Sequence, residues 1–289
     1  MQLGRRVFLS LLWGCGLCGM QQPSGTDSPA PDDWVCPMHP DVHSGRPGAC
    51  PRCGMALHLH IPDRIEYPLQ MTQSPAALKP GSIITLRFRV LDPQTGRPVN
   101  HFELVHEQLM HVFVVSENLQ FFTHVHPAIE ADGSFRLLVR LPYGGTYRLL
   151  ADYYPAGSVP QLTVKTLFVS GHSEPVQVRA SLAPSKSENV TASLRLDPEQ
   201  PLAGLETKLF FTLNPADGLE PYLGAWAHML TVSEDLIDLL HLHPFLADGG
   251  PIVQFNVIFP RPGLYRIWTQ LQRHGVVNTV VFTVPVKAL

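Results

Sequence analysis

The sequence predicts an all-β protein, and three observations predict it. Runs of β-branched and aromatic residues are short and recurrent, turn dipeptides punctuate them closely, and no long amphipathic helical pattern is present. The chain of 289 residues holds 28 prolines and 22 glycines with a hydrophobic share of 45%. That balance is too apolar for disorder and suits short strands joined by tight turns. Residues 83–90 alternate apolar and polar after Thr85, and 135–141 do so loosely. Residues 146–150, 162–169, 206–213, 252–259 and 276–284 are β-forming runs.

The chain also repeats itself. Residues 109–127 read LMHVFVVSENLQFFTHVHP and residues 226–244 read WAHMLTVSEDLIDLLHLHP. Aligned on Ser116 and Ser233, His111 matches His228, Glu117 matches Glu234, Leu119 matches Leu236, and His124, His126 and Pro127 match His241, His243 and Pro244. The likeness continues through Asp132-Gly133 with Asp248-Gly249, and through Gly145 to Arg148 with Gly263 to Arg266. A period of about 117 residues is too long for a solenoid unit and fits a duplicated domain. Seven or so short strands per copy describe an immunoglobulin-like β-sandwich. Two such sandwiches are expected in tandem, at 64–171 and 188–289, joined around residues 183–187.

The N-terminal segment reads as an export signal at 1–20. Arg5 and Arg6 precede an apolar stretch, Val7 to Leu12, that ends among small residues and is too short to span a bilayer. Leu12 to Cys15 resembles a bacterial lipobox, with Trp13 departing from the usual residue there; an ordinary signal peptide is the alternative. A polar, Pro-rich stretch at 21–33 reads as a flexible linker. The expected location is therefore the periplasm or cell envelope, with membrane attachment only through a lipid.

Cysteine usage concentrates attention on residues 34–60. Of five cysteines, Cys15 and Cys18 fall in the signal, and the other three are Cys36, Cys50 and Cys53. An odd number beside a histidine points to a metal site rather than a disulfide framework. Cys50 and Cys53 form a knuckle closed by Gly54, and Cys36 with His39 supplies the opposing half. Cys36, His39, Cys50 and Cys53 together suit tetrahedral coordination of Zn2+, while the thioethers of Met38 and Met55 would shift preference toward Cu+. A segment this short has no core of its own and needs an ion or another cross-link to fold.

The strings C-P-M-H-P and P-G-x-C-P-x-C-G-M-x-L in this segment resemble the small heavy-metal-binding domain of bacterial envelope proteins and copper-transport or efflux-adaptor proteins. That resemblance implies handling of copper, zinc or a related ion. The long helical hairpin of adaptors is missing, so the whole chain is not read as one. The M-H-x-x-x-V-S…L…H-x-H-P pattern resembles the YtkA-like envelope sandwich domains, and this supports the fold more than an activity.

The duplicated histidines are the second candidate. If residues 111–115 and 121–126 pair as a hairpin, alternation puts His124 and His126 on one face near His111. Three imidazoles can form a three-nitrogen site, with Met110 or His106 completing it for copper; His228, His241 and His243 form the second trio, with Met229 facing away. Their alternative is hydrogen bonding within the sandwich.

The leading expectation is an exported metal-binding protein for copper or zinc homeostasis or resistance. Its partners would be the ion and an envelope membrane or efflux protein. The alternative is a structural or interaction protein whose zinc knot is only a folding device. No catalytic motif is present, and Ser116 and Ser233 read as turn serines, so an enzyme is not expected. A net charge of −3 without a basic run gives no reason to expect nucleic acid.

Overall fold

A computed structural model of the chain describes residues 33–51, 55–59 and 65–289. The expected signal, the linker up to residue 32, and Cys53 lie outside the described residues. Among the described residues every regular element is a strand.

The N-terminal module contributes β1 (Trp34–Val35) and β2 (His43–Ser44), paired antiparallel. The next eight strands are β3 (Leu69–Ser74), β4 (Ile83–Val90), β5 (Met110–Ser116), β6 (Phe122–Val125), β7 (Ala128–Ile129), β8 (Phe135–Arg140), β9 (Gly145–Tyr153) and β10 (Gln161–Val169). They form two antiparallel sheets, ordered β3-β4-β8-β7 and β10-β9-β5-β6. The second copy runs through β11 (Ser185–Lys186), β12 (Thr191–Asp197), β13 (Glu206–Asn214), β14 (Leu219–Glu220), β15 (His228–Ser233), β16 (Leu239–Leu242), β17 (Ile252–Ile258), β18 (Gly263–Arg273) and β19 (Val276–Val286). One sheet is ordered β11-β12-β13-β17; in the other, β18 pairs with β19 along one side and with β15 and β14 along the other, and β16 lies outside β15. The duplicated sandwich architecture expected from the repeat is present.

Alternation places the cores. In β4, Ile84, Leu86, Phe88 and Val90 point inward and are fully buried, with Arg87 and Arg89 between them. They pack on Met110, Val112, Val114, Tyr147 and Leu149 of the facing sheet. The second core repeats this with Leu209, Phe211, Phe255, Ile267 and Phe282.

β5 and β15 do not alternate in burial; every residue of both is buried. Each has its own sandwich behind it and the other copy in front. Phe113, Val115 and Leu150 of the first copy pack against Leu230, Val232 and Trp268 of the second. Phe122 stacks on Trp268, ring centroids 5.2 Å apart and planes 8° from parallel. Burying such a side chain contributes about 1.5–3 kcal/mol, so this seam joins the copies firmly. The turn serines are braces. The Ser116 hydroxyl accepts from the Phe121 amide and donates to Asn118, and Ser233 does the same with Asp238 and Asp235.

Candidate metal centres

Three groups of donor atoms converge among the described residues: Cys36, His39 and Cys50; His111, His124 and His126; and His106, His228 and His243. Within each group the donor atoms lie within 4.8 Å of one another.

The first is the module. His39 Nδ1 is 3.7 Å from Cys36 Sγ and 3.6 Å from Cys50 Sγ. Tetrahedral zinc with ordinary bond lengths separates its sulfur and nitrogen ligands by ~3.6 Å, so the donor set fits an ion. A tight backbone loop sets this geometry: the His39 amide bonds the Cys36 carbonyl, and the Val42 amide bonds that of His39. Hydrogen bonding of its ring N–H to the Cys36 and Cys50 sulfurs pushes the His39 imidazole up to about 9 against the cost of burial. Both cysteines are buried with Met55, Leu57, Val105 and Tyr154, and Met38 packs at the edge. Met38 and His39 line a cleft of about 390 Å³ together with His241 and His243.

The second group lies where the two copies meet. Antiparallel pairing sets Phe113 opposite His124, and the alternation brings His111, His124 and His126 to one face. His111 Nδ1 is 2.9 Å from His124 Nε2 and 3.1 Å from His126 Nε2, and the third edge of the triangle is 3.3 Å. The outer nitrogens decide the tautomers. His111 Nε2 lies 2.7 Å from the Val105 carbonyl. A carbonyl only accepts, so that nitrogen carries the proton and Nδ1 is bare. His124 Nδ1 donates in the same way to Gln270 Oε1 at 2.9 Å, leaving Nε2 bare. Desolvation holds these imidazoles neutral: it pushes His111 down to about 3, His126 to about 4, and His124 well below the ordinary value. Met110, on the opposite face of β5, is buried in the sandwich core and does not complete the trio.

The second copy is built alike up to a point. His228 Nε2 donates to the Tyr222 carbonyl at 3.0 Å, and His228 Nδ1 is 3.1 Å from His243 Nε2. The expected trio of His228, His241 and His243 needs correction at one position: the third donor converging here is His106, from the first copy. The His106 ring lies 3.8 Å from that of His243 and 5.2 Å from that of His228. His241 is turned to Asp152 instead, with Nδ1 2.9 Å from Oδ2 and both side chains sealed from solvent. Burial, the largest cause, lowers His106 to about 4 and His228 and His243 well below the ordinary range.

Sequence reasoning offered His106 only as an extra ligand for the first trio. It did not identify Asp152, Gln270 or the two carbonyls. A signal for His106 existed, because the repeat equates it with Leu223. Both residues occupy the first left-handed position of the same tight turn, with φ of 46° and 52°. The turns close through paired backbone bonds, Val105 with Gln108 and Tyr222 with Ala225.

The model for a domain of unknown function, DUF8832, matches residues 63–168 and 185–288, and the model for the heavy metal binding domain matches residues 34–58. Among curated proteins, a copper-transporting P-type ATPase of Rhizobium leguminosarum bv. viciae is 49% identical over 49 residues, 17% of this chain and 6% of that protein. A silver exporting P-type ATPase of Salmonella typhimurium is 62% identical over 24 residues, 8% of this chain and 3% of that protein. The chain thus spans a small fraction of either relative. Among solved structures, a two-domain fibronectin type III segment of chicken tenascin aligns at 10% identity over 76% of this chain and 99% of that one, TM-score 0.25. The Escherichia coli adhesin FdeC aligns at 13% over 77% and 66%, TM-score 0.25.

Proposed function

The chain belongs to the DUF8832 family, with a heavy metal binding domain ahead of its two family repeats, and on that premise we propose that it captures soft metal ions of the copper type in the cell envelope. The observation that carries this reading is the module's geometry: two buried sulfurs and an imidazole nitrogen at 3.6–3.7 Å, the spacing of ligands sharing one ion. Sulfur donors select Cu+ over harder ions, and the short matches to a copper-transporting and a silver exporting ATPase run in the same direction. The buried Met55 and the flanking Met38 add soft donors nearby.

Export is supported by Arg5-Arg6 and the apolar residues that follow. An exported binder of this kind serves copper homeostasis or resistance by holding the ion and passing it to an envelope efflux partner. The test is competition. Titration of Cu+ and Zn2+ into the full chain and into a Cys36→Ser/Cys50→Ser variant should show tight Cu+ binding by the first alone. Equal Cu+ binding by both would overturn the reading. A second reading, a structural zinc knot, draws on the packing of both cysteines against Val105 and Tyr154 of the first sandwich. It requires one zinc that never exchanges for Cu+.

A further inference from the structure

We propose that the face between the two sandwiches is a second metal centre, made of imidazole nitrogen alone, that takes two borderline divalent ions of the Cu2+ or Zn2+ class. One ion is held by His111, His124 and His126 within the first copy. The other is held by His106 from the first copy and by His228 and His243 from the second, so that it ties the copies together. This goes beyond the reading of the Cys/His module and does not rest on it.

Four observations converge. The first is the triangle of His111 Nδ1, His124 Nε2 and His126 Nε2, with edges of 2.9, 3.1 and 3.3 Å. An ion ~2.1 Å from each nitrogen sits ~1 Å above such a triangle and keeps an open position on its far side. The second is the outer set of hydrogen bonds. The Val105 and Tyr222 carbonyls and the Gln270 amide oxygen each accept a ring N–H, which turns the bare nitrogen of His111, His228 and His124 inward. Acceptors on the outer nitrogen are the supports that orient histidine ligands. The third is His106. It is buried, with 6% of its surface exposed, and neither ring nitrogen has a hydrogen-bond partner. A buried imidazole with both polar atoms unsatisfied is costly, and His106 is held in a left-handed turn, φ 46°, against the rings of His243 and His228. The fourth is His241, whose Nδ1 is bonded to Asp152 while its Nε2 is buried without a partner. Its ring lies 4.5 Å from that of His243 and 6.1 Å from that of His111, between the two groups.

A packing role does not account for this arrangement. Seven imidazoles sharing one seam could be replaced by apolar side chains like those of Phe113 and Leu230 farther along the same strands. Nitrogen-only donors suit Cu2+ and Zn2+, in contrast to the sulfur of the module. The cleft lined by Met38, His39, His241 and His243 connects the two chemistries.

The test uses full-length protein and a Cys36→Ser/Cys50→Ser/Cys53→Ser variant, dialysed against Zn2+ or Cu2+ and analysed for bound metal. The expected result is two equivalents in the triple-cysteine variant, with a Cu2+ electron paramagnetic resonance spectrum split by three nitrogens, and one additional zinc in the unaltered chain. Adding His126→Gln to the cysteine variant should remove one equivalent, and adding His106→Gln should remove the other. Because His126 is partly exposed, its variant keeps the test open should the His106 variant fail to fold. No divalent ion in the cysteine variant, or two that both histidine variants retain, overturns the proposal. Loss in only one of two folded variants reduces the centre to a single ion and overturns the paired form. Equal zinc in the unaltered chain and the cysteine variant refutes the zinc-knot reading of the module instead and leaves the imidazole centre standing.

Discussion

The two copies of the repeat differ most instructively where they resemble each other most. In each, a histidine at the start of the inner strand, His111 or His228, donates its Nε2–H to the first carbonyl of a tight turn six residues upstream. In each, the first histidine of the H-x-H pair reaches across the seam to the cross-strand neighbour of its counterpart's inner-strand histidine. His124 reaches Gln270, the neighbour of His228, and His241 reaches Asp152, the neighbour of His111. The differences are two: a carboxylate where the other copy has an amide, and His106 where the other copy has Leu223. With them, the first copy completes its trio locally and the second borrows from its neighbour. Strands that carry matching histidines thus yield unlike centres because two supporting positions differ.

Acidification tests what the copies share and should have the largest effect. The unfolded imidazoles titrate near 6.5, while His111, His106 and His126 in the folded chain do so at about 3 to about 4. Below pH 6.5 the unfolded chain therefore binds more protons, so stability present above that pH is lost as it falls toward 4, at ~1.4 kcal/mol per unit for each group. Denaturant midpoints measured between pH 7.5 and 4.5 should fall steeply, and a flat profile would contradict neutral burial of the cluster.

Breaking the supports should separate the copies. Each change strands a buried ring N–H, but Asp152→Ala removes a fully buried carboxylate acceptor and should cost about 3 kcal/mol, against about 1 kcal/mol for Gln270→Ala, which removes a half-buried neutral one. Equal losses in urea unfolding would remove the distinction drawn between them. Next in size is zinc. At a hundredfold excess over its Kd an ion adds about 2.7 kcal/mol per site, read as a rise in Tm. In the Cys36→Ser/Cys50→Ser/Cys53→Ser variant, which keeps only the two imidazole sites, His106→Leu, which makes the two turns alike, should cut that rise to about half. The smallest and most symmetric effect belongs to the turn serines: Ser116→Ala and Ser233→Ala should each cost about 1 kcal/mol. A much larger loss of function than of stability in one of them would point to a chemical role.

Strand periodicity and the repeat made the sandwiches legible, because alternation such as that of residues 83–90 reports one buried face directly. Residues 110–116 could be read as a strand, yet not as one buried on both faces, since a continuous apolar run does not say what covers its second side. The module was legible because ligand spacing within a few residues constrains geometry locally. The interdomain centre was half legible. His111, His124 and His126 lie on one hairpin that the pairing rules specify, whereas His106 meets His228 and His243 only after the two copies have docked. Asp152 carried no signal of its own, since an acid within an apolar strand reads as an edge residue until its partner 89 positions away is known.

The reciprocal reach of His124 and His241 is the signature of an isologous contact, in which the same patch on two bodies meets itself. A single copy released from its neighbour would present Phe113, Val115 and Leu150 to water and would associate with another of its kind. Fusing two copies into one chain makes that association permanent and frees the halves to differ. A homodimer must change both turns together; this chain changed one.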